Sequence, residues 1–446
     1  MKIKVVMFVV LFVGTLLIVS NHVLAQSASQ LELQWSKTYS GHSGASFIIP
    51  THDGGYVIAG CDSTKHMYGG STSTYVYTPY VMKINSNHKV GWIKTYAESY
   101  DSRQWFMQTS DLGYFLAHGG WYEPLLLLKT DSRGNLEWNQ TLDLKQLPDI
   151  QFNPRDITTF VVVDDGNYVI STQNSPIDGF SSAVILKCSN DSLFWQKTFS
   201  DDKNYVFSKT VLVSSSGDGY FVAGNWGLSG WFAKLDLNGA VVWSRIYDYP
   251  EVPRGSSLFF DLVTPTLDGG FVLGGRDSEF GWIVKVDSEG NELWCKRYGV
   301  GGSGHYSYEY GIMDVVEWVD GSVLVFDRLG ISCLDASGDE LWFESYSKYM
   351  SDFMGSGFDD VNVGGVHVIG SDGSLVVMMN YGSDEGSMQL GDSDYGLWVA
   401  EFGLDPVSSL NWGYVLLFGV VIVVGVGVFV GFLIYLKKYR PRRIVD

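Results

Sequence analysis

Acids and tyrosines, rather than histidines or serines, carry most of the chemistry this chain could perform. Asp359, Asp360, Asp384, Asp392 and Asp394 stand in glycine-rich stretches, and Tyr306, Tyr308 and Tyr310 crowd another. Tyr68, Tyr75, Tyr77, Trp121 and Tyr249 fall in further irregular segments. Carboxylates can accept hydrogen bonds from sugar hydroxyls or hold cations, and aromatic faces can stack on sugar rings. "DDVN" at Asp359 and "GDSDYG" at Gly391 lack the EF-hand spacing, so calcium has no motif behind it and no cofactor is assigned. His42, His52, His66, His88, His118, His305 and His367 are scattered, with no HExxH and no GxSxG anywhere. His42 and His305 share the irregular segments with the acids and tyrosines, which makes them the two to test. A carboxylate pair for glycoside cleavage is a matter of spatial separation, which sequence does not report. Solvated loops with some aromatics tucked against the fold are the plain alternative.

The scaffold that must position these residues is a repeat. Trp35, Trp92, Trp138, Trp195, Trp243, Trp294 and Trp342 recur about every 50 residues in near-copies of one phrase, such as "DSEGNELW" ending at Trp294. Between them runs a second phrase: "HDGGYVIAG" from His52, "SGDGYFVAG" from Ser216 and "LDGGFVLGG" from Leu267 are examples. Asp-Gly before an alternating apolar run is a hairpin signal, because the turn needs residues that tolerate positive φ. A third run such as "YVMKI" or "WIVKVD" precedes each Trp phrase. Four antiparallel strands per unit make a propeller blade. The last unit ends at "YGLWVAEFGLD" without a Trp strand, and a spare one, "LELQWSKTY", stands near the N-terminus. Joined, they close a ring and remove its open edges. The fold class expected is all-β: a seven-bladed β-propeller of four-stranded blades, closed by the N-terminal strand, with each Trp packed between neighbouring blades.

"LDLNGAVVW" and "VDSEGNELW" resemble the repeats of quinoprotein-type (PQQ-like) β-propellers, and "WSKTY" with "DGGYVIAG" is similar to repeats in secreted or membrane-anchored propellers of archaea and bacteria. The resemblance spans roughly residues 31 to 405 and implies the fold. It implies no catalytic residue. Quinoprotein dehydrogenases carry adjacent cysteines beside the quinone, whereas Cys61, Cys188, Cys295 and Cys333 are far apart. Nor do these cysteines show CxxC spacing; buried free thiols are expected, although export would permit a disulfide.

The ends carry a different pattern. Residues 1–25 read as a signal peptide, cleaved or retained as an anchor. The propeller is placed at 26–405 and a short linker at 406–411. Residues 412–436 hold no charge and would span about 37 Å as a helix, more than the ~30 Å hydrocarbon core. The basic tail, 437–446, then predicts a cytoplasmic C-terminus and an external propeller. Gly427 and Gly431, four apart, could support a weak dimer of an otherwise monomeric anchor. The chain carries −19 overall, and about −25 without its basic leader and tail, which argues against nucleic acid and anionic lipid as partners.

Strand order sorts the connections. Tight hairpins fall on one face, while second-to-third-strand and blade-to-blade connections, including every long one, fall on the other. The function expected is therefore a cell-surface binding or display module. Its outward loop face would take glycans, envelope polymers or partner proteins through Tyr68, Tyr75, Tyr77, Trp121, Tyr249, His305, Tyr306, Tyr308, Tyr310, Asp359, Asp360, Asp384, Asp392 and Asp394. The alternative is an exported enzyme, either a quinoprotein-like dehydrogenase or a polysaccharide hydrolase or lyase.

Overall fold

The computed structural model describes residues 31–404 apart from 43, 69–71, 101–102, 120–123, 148–153, 164–166, 175–179, 215, 250–257, 278–279, 299–311, 319–320, 328–329, 351–366, 370–373 and 382–395. The leader, the linker, the apolar 412–436 stretch and the basic tail lie outside these residues. Among the described residues no helix is long and apolar enough to cross a membrane. The compact unit carrying the blades runs from Leu33 to Phe402.

Seven four-stranded antiparallel sheets make up this unit. Six are built from consecutive strands. The seventh joins His367–Ile369, Leu375–Tyr381 and Gly396–Leu404 to the N-terminal strand Leu31–Ser40, so both ends of the chain close the ring. This is a seven-bladed β-propeller. First strands of successive blades neighbour one another, which makes them the inner ring, and the Trp strands lie outermost. Second and third strands are sandwiched between adjacent blades. They read as continuous buried runs, such as Tyr114–His118 and Gly281–Val286, rather than as alternating ones. The outer strands alternate between exposed and half-buried positions, as in Val90–Thr95.

The tight face repeats one device. In four blades the aspartate of the first hairpin meets a lysine from the third strand of the same blade: Lys83 to Asp53, Lys129 to Asp111 and Lys234 to Asp218 at 2.8 Å, and Lys285 to Asp268 at 3.1 Å. In the turn before the Trp strand, Asp131, Asp236, Asp287 and Asp335 each accept the backbone N–H groups two and four residues on. The glycines of these turns, Gly134, Gly239, Gly290 and Gly338, have positive φ. They also seat the Trp of the preceding blade: a Cβ on any of them would fall 2.6–2.8 Å from the indole of Trp92, Trp195, Trp243 or Trp294. Tyr96 and Tyr247, four residues after their Trp, donate to the carbonyls of Gly134 and Gly290. The Trp–x–x–x–Tyr phrase is thus a clamp on the next blade. Its indoles are half-buried at the outer seam rather than central, and Trp138 is 39% exposed.

The closing seam varies this device. His88 occupies the glycine position at φ +57° and stacks on Trp35, with ring centroids 3.8 Å apart. Lys37 and Tyr39 donate to the His88 carbonyl. Glu401 accepts from the Trp35 indole and from the Tyr56 hydroxyl. Deeper in, the Asn380 amide pairs with the Ala45 backbone in both directions, at 2.9 and 3.0 Å. Every one of these contacts joins residues remote in sequence.

Candidate functional site on the loop face

Of the residues expected to bind, Tyr75, Tyr77 and Tyr249 are described in full. Tyr68 is described as part of a strand. Trp121, His305, Tyr306, Tyr308, Tyr310, Asp359, Asp360, Asp384, Asp392 and Asp394 lie outside the described residues.

The segment from Cys61, expected to be an irregular loop, is a β-ribbon. Tyr56–Tyr68 pairs with Thr72–Ile84 along its whole length, to Tyr68 opposite Thr72. Threonine, valine and tyrosine dominate "TSTYVYT", and such residues favour pleated structure even without a core beneath them. The ribbon is braced from the side, since Tyr77 and Ser99 exchange both backbone hydrogen bonds, at 2.8 and 3.0 Å. Tyr75 and Tyr77 are two apart and project from one side of the strand. Their rings stack with centroids 6.4 Å apart, and Tyr75 is 38% exposed.

At the base of the ribbon, His42 Nδ1 lies 2.7 Å from the Asp62 carboxylate, and its ring leans on Tyr80 at 4.8 Å. The hydrogen bond to Asp62 raises the His42 pKa, against the opposing effect of burial. Burial holds the Tyr80 hydroxyl well above the usual phenol range. This pair orients an imidazole at the base of the ribbon.

Tyr249 does not face outward. Its ring stacks on Trp282 at 5.0 Å and 11°, and its hydroxyl donates to Glu292, so it fastens its blade to the next one. Burial foremost, then Cys295 and Glu292, push its hydroxyl pKa far up. Nothing in sequence separates a tyrosine that folds back onto a blade from one that projects.

Bulges on the inner strands add residues that the spacing of acids and tyrosines did not reveal. Ser46, Lys209 and Asp261 are each the extra residue where an inner strand shifts register against its neighbour. Opposite each shift stands a glycine, namely Gly60, Gly224 and Gly275. A Cβ on Gly224 or Gly275 would fall 2.0 Å from the carbonyl oxygen of Phe207 or Phe259, so the bulge needs glycine there. The second blade has His118 at this place, and its inner strand pairs without a shift. The signal was present: "AG" or "GG" ends the hairpin phrase in those blades. A bulge re-aims a side chain. Lys209 and Arg276 are exposed, and Asp261 lies 3.7 Å from Arg276 with a third of its side chain accessible. Burial raises the Asp261 pKa, opposed by Lys209 and Arg276.

Among the described residues no group of three or more His, Cys, Asp or Glu side chains could hold a metal ion. All four cysteines are free; Cys61, Cys188 and Cys333 are buried, and burial pushes the Cys188 thiol to about 12. A groove of about 420 Å³ lies at the outer rim, lined by Lys94, Tyr96, Leu128, Leu136 and Asn139, where one blade clamps the next.

No family model matches the chain, and no curated protein matches it. Solved propellers do. A periplasmic gluconolactonase of Pseudomonas aeruginosa is 13% identical, with 68% of this chain and 84% of that chain covered and a TM-score of 0.41. A protein from Lactobacillus plantarum is 11% identical, with 66% and 82% covered and a TM-score of 0.44. A proposed 6-phosphogluconolactonase from Bacteroides uniformis is 14% identical, with 67% and 83% covered and a TM-score of 0.39. These are likenesses of fold and say nothing of activity.

Proposed function

We propose that the protein is a binding module displayed at the cell surface, engaging glycans, envelope polymers or partner proteins through its loop face. The observation behind this reading is the braced ribbon that holds an exposed Tyr75 beside a half-buried Tyr77. Stacked tyrosines on a rigid ribbon offer aromatic surface at little cost in ordering, which suits recognition better than turnover. The uncharged 412–436 stretch and the basic tail support anchorage at the cell membrane, with the C-terminus in the cytoplasm. An array of glycans and envelope polymers probed with the purified full-length protein tests the binding reading. Retention on at least one polymer class, lost in Tyr75→Ala/Tyr77→Ala, is the outcome expected. Protease shaving of intact cells tests the anchorage: the ribbon should be cut and a tag after Asp446 protected.

Polysaccharide cleavage is the second reading, and one observation favours it. Asp261, at a bulge of an inner strand with a third of its side chain accessible, has its carboxyl pKa pushed up by burial against Lys209 and Arg276, the direction a proton donor needs. Release of reducing ends from a polymer that the protein binds would establish it.

A further inference from the structure

The outer rim holds two acceptor patterns that neither ring closure nor the ribbon uses. Asn139-Gln140-Thr141 and Asn190-Asp191-Ser192 both read Asn-x-Ser/Thr, the triplet at which N-linked glycans are attached in secreted chains. Such triplets are common by chance, and the structure treats these two differently. Asn139 lies on Leu136–Leu142, the outermost strand of its blade. Residues two apart on a strand share a face, so Asn139 and Thr141 point the same way, and both are exposed. Gln140 points the opposite way and donates to the Tyr168 hydroxyl of the next blade at 3.2 Å. The amide and the hydroxyl of this triplet are therefore presented together. The rim groove of about 420 Å³ is lined by Asn139 with Tyr96 and Leu136, and Leu136 is 47% exposed. Asn190 stands instead in the turn before Leu193–Phe199. Its side chain already hydrogen-bonds the Tyr168 hydroxyl, and the Ser192 hydroxyl donates to Asp191 at 3.0 Å. A carboxylate thus stands between acceptor and hydroxyl and occupies the latter.

We propose that Asn139 carries an N-linked glycan and that Asn190 does not. The donor is a lipid diphosphate-linked oligosaccharide, and Asn139 Nδ2 attacks its anomeric carbon. The C–N bond forms as the anomeric C–O bond breaks. The lipid diphosphate leaves with the electron pair, and one amide proton passes to the transferase. In the folded product the groove receives the first sugar, whose apolar face covers the exposed Leu136. The glycan also shields an edge strand, whose outward backbone groups would otherwise template pairing with another chain. At Asn190 the same attachment would break the bond to Tyr168 and set the sugar against a charged turn.

This inference rests on the external placement of the propeller, and its test separates the two. The full-length protein is purified from its own cells, digested and read by glycopeptide mass spectrometry. The Asn139 peptide should carry glycan mass, and the Asn190 peptide should not. Asn139→Gln and Thr141→Ala should each abolish that mass, while Thr141→Ser, which keeps the hydroxyl, should retain it. The readout on the unmutated protein stands even if a variant fails to fold. A bare Asn139 in a protein whose ribbon is cut on intact cells overturns the site and leaves the external placement intact. A glycan on Asn190 overturns the distinction between the two triplets. A ribbon that resists shaving, with both asparagines bare, overturns the placement and the site together.

Discussion

The tight face and the loop face of this propeller are built from the same strands under opposite rules. On the tight face most turns repeat one device: in four blades an aspartate caps the turn before the Trp strand and a glycine there seats the Trp of the preceding blade, and in four a lysine locks the first hairpin. On the loop face the copying stops. One blade grows a ribbon beyond its partner strands, three inner strands bulge where a glycine faces them, and the long connections differ in every blade. The tight turns fix the geometry of the ring, and a fixed ring lets the other face vary without cost to the fold.

The largest effect should come from removing the copied device where it closes the ring. Deleting Leu31–Tyr39 takes away Trp35, its stack on His88 and its hydrogen bond to Glu401. Trp35 is half-buried, but the buried Leu31 and Tyr39 go with it, and truncating a single buried large apolar side chain already costs about 2–5 kcal/mol. The shortened protein should lose its cooperative melt. A transition within a few degrees of the intact protein would mean that the seam is not what holds the ring.

A sharper version compares two kinds of tight turn. Gly290→Ala forces a Cβ to 2.8 Å from Trp243 at φ +75°, whereas Gly269, at φ +82°, has nothing within 4 Å. The first substitution adds overpacking of about 1–3 kcal/mol to the backbone penalty, and the second pays only that penalty of about 1–2 kcal/mol. Equal losses in chemical denaturation would show that the Trp is not seated on the turn.

The hairpin locks predict an acid limb in the stability of the fold. Asp53 and Asp268 are held near a pKa of about 2 although burial opposes it; hydrogen bonds from Lys83 and Thr51, and from Thr266, Gly270 and Lys285, are the cause. Because their folded pKa lies below the unfolded value, the stabilisation is complete above about pH 4 and is lost as pH falls towards 2. Lys83→Ala should flatten that acid limb in a melting series, and an unchanged limb would remove the lock from the account.

Legibility in the sequence follows the same division. Blade number, strand order and closure could be read because most turns repeat an aspartate and a glycine, residues that cap the turn and tolerate its positive φ. The clamp was half visible: Trp35 to Tyr39 recurs as a phrase, but its seat on the next blade needed three dimensions. The stretch after Cys61 hid its ribbon, since "CDSTKHMY" is polar on both faces and gives no period-two contrast. Tyr249 looked like any loop tyrosine until Trp282 appeared beneath it. Asp261 and Lys209 sit among apolar strand residues, and only the glycine opposite marks them.

The smallest effect on stability should accompany the largest effect on function. Tyr75 and Tyr77 lie beyond the blade core, so Tyr75→Ala/Tyr77→Ala should shift folding stability by no more than about 0.5 kcal/mol, as surface changes do.

The most direct test measures the affinity of the full-length protein for the polymer selected on the array, beside that double variant at matched melting temperature. The account predicts at least about a tenfold weaker dissociation constant for the variant, the loss expected when two stacking rings go. Equal affinity in the two proteins, with both fully folded, would contradict the claim that the loop-face ribbon is a recognition surface.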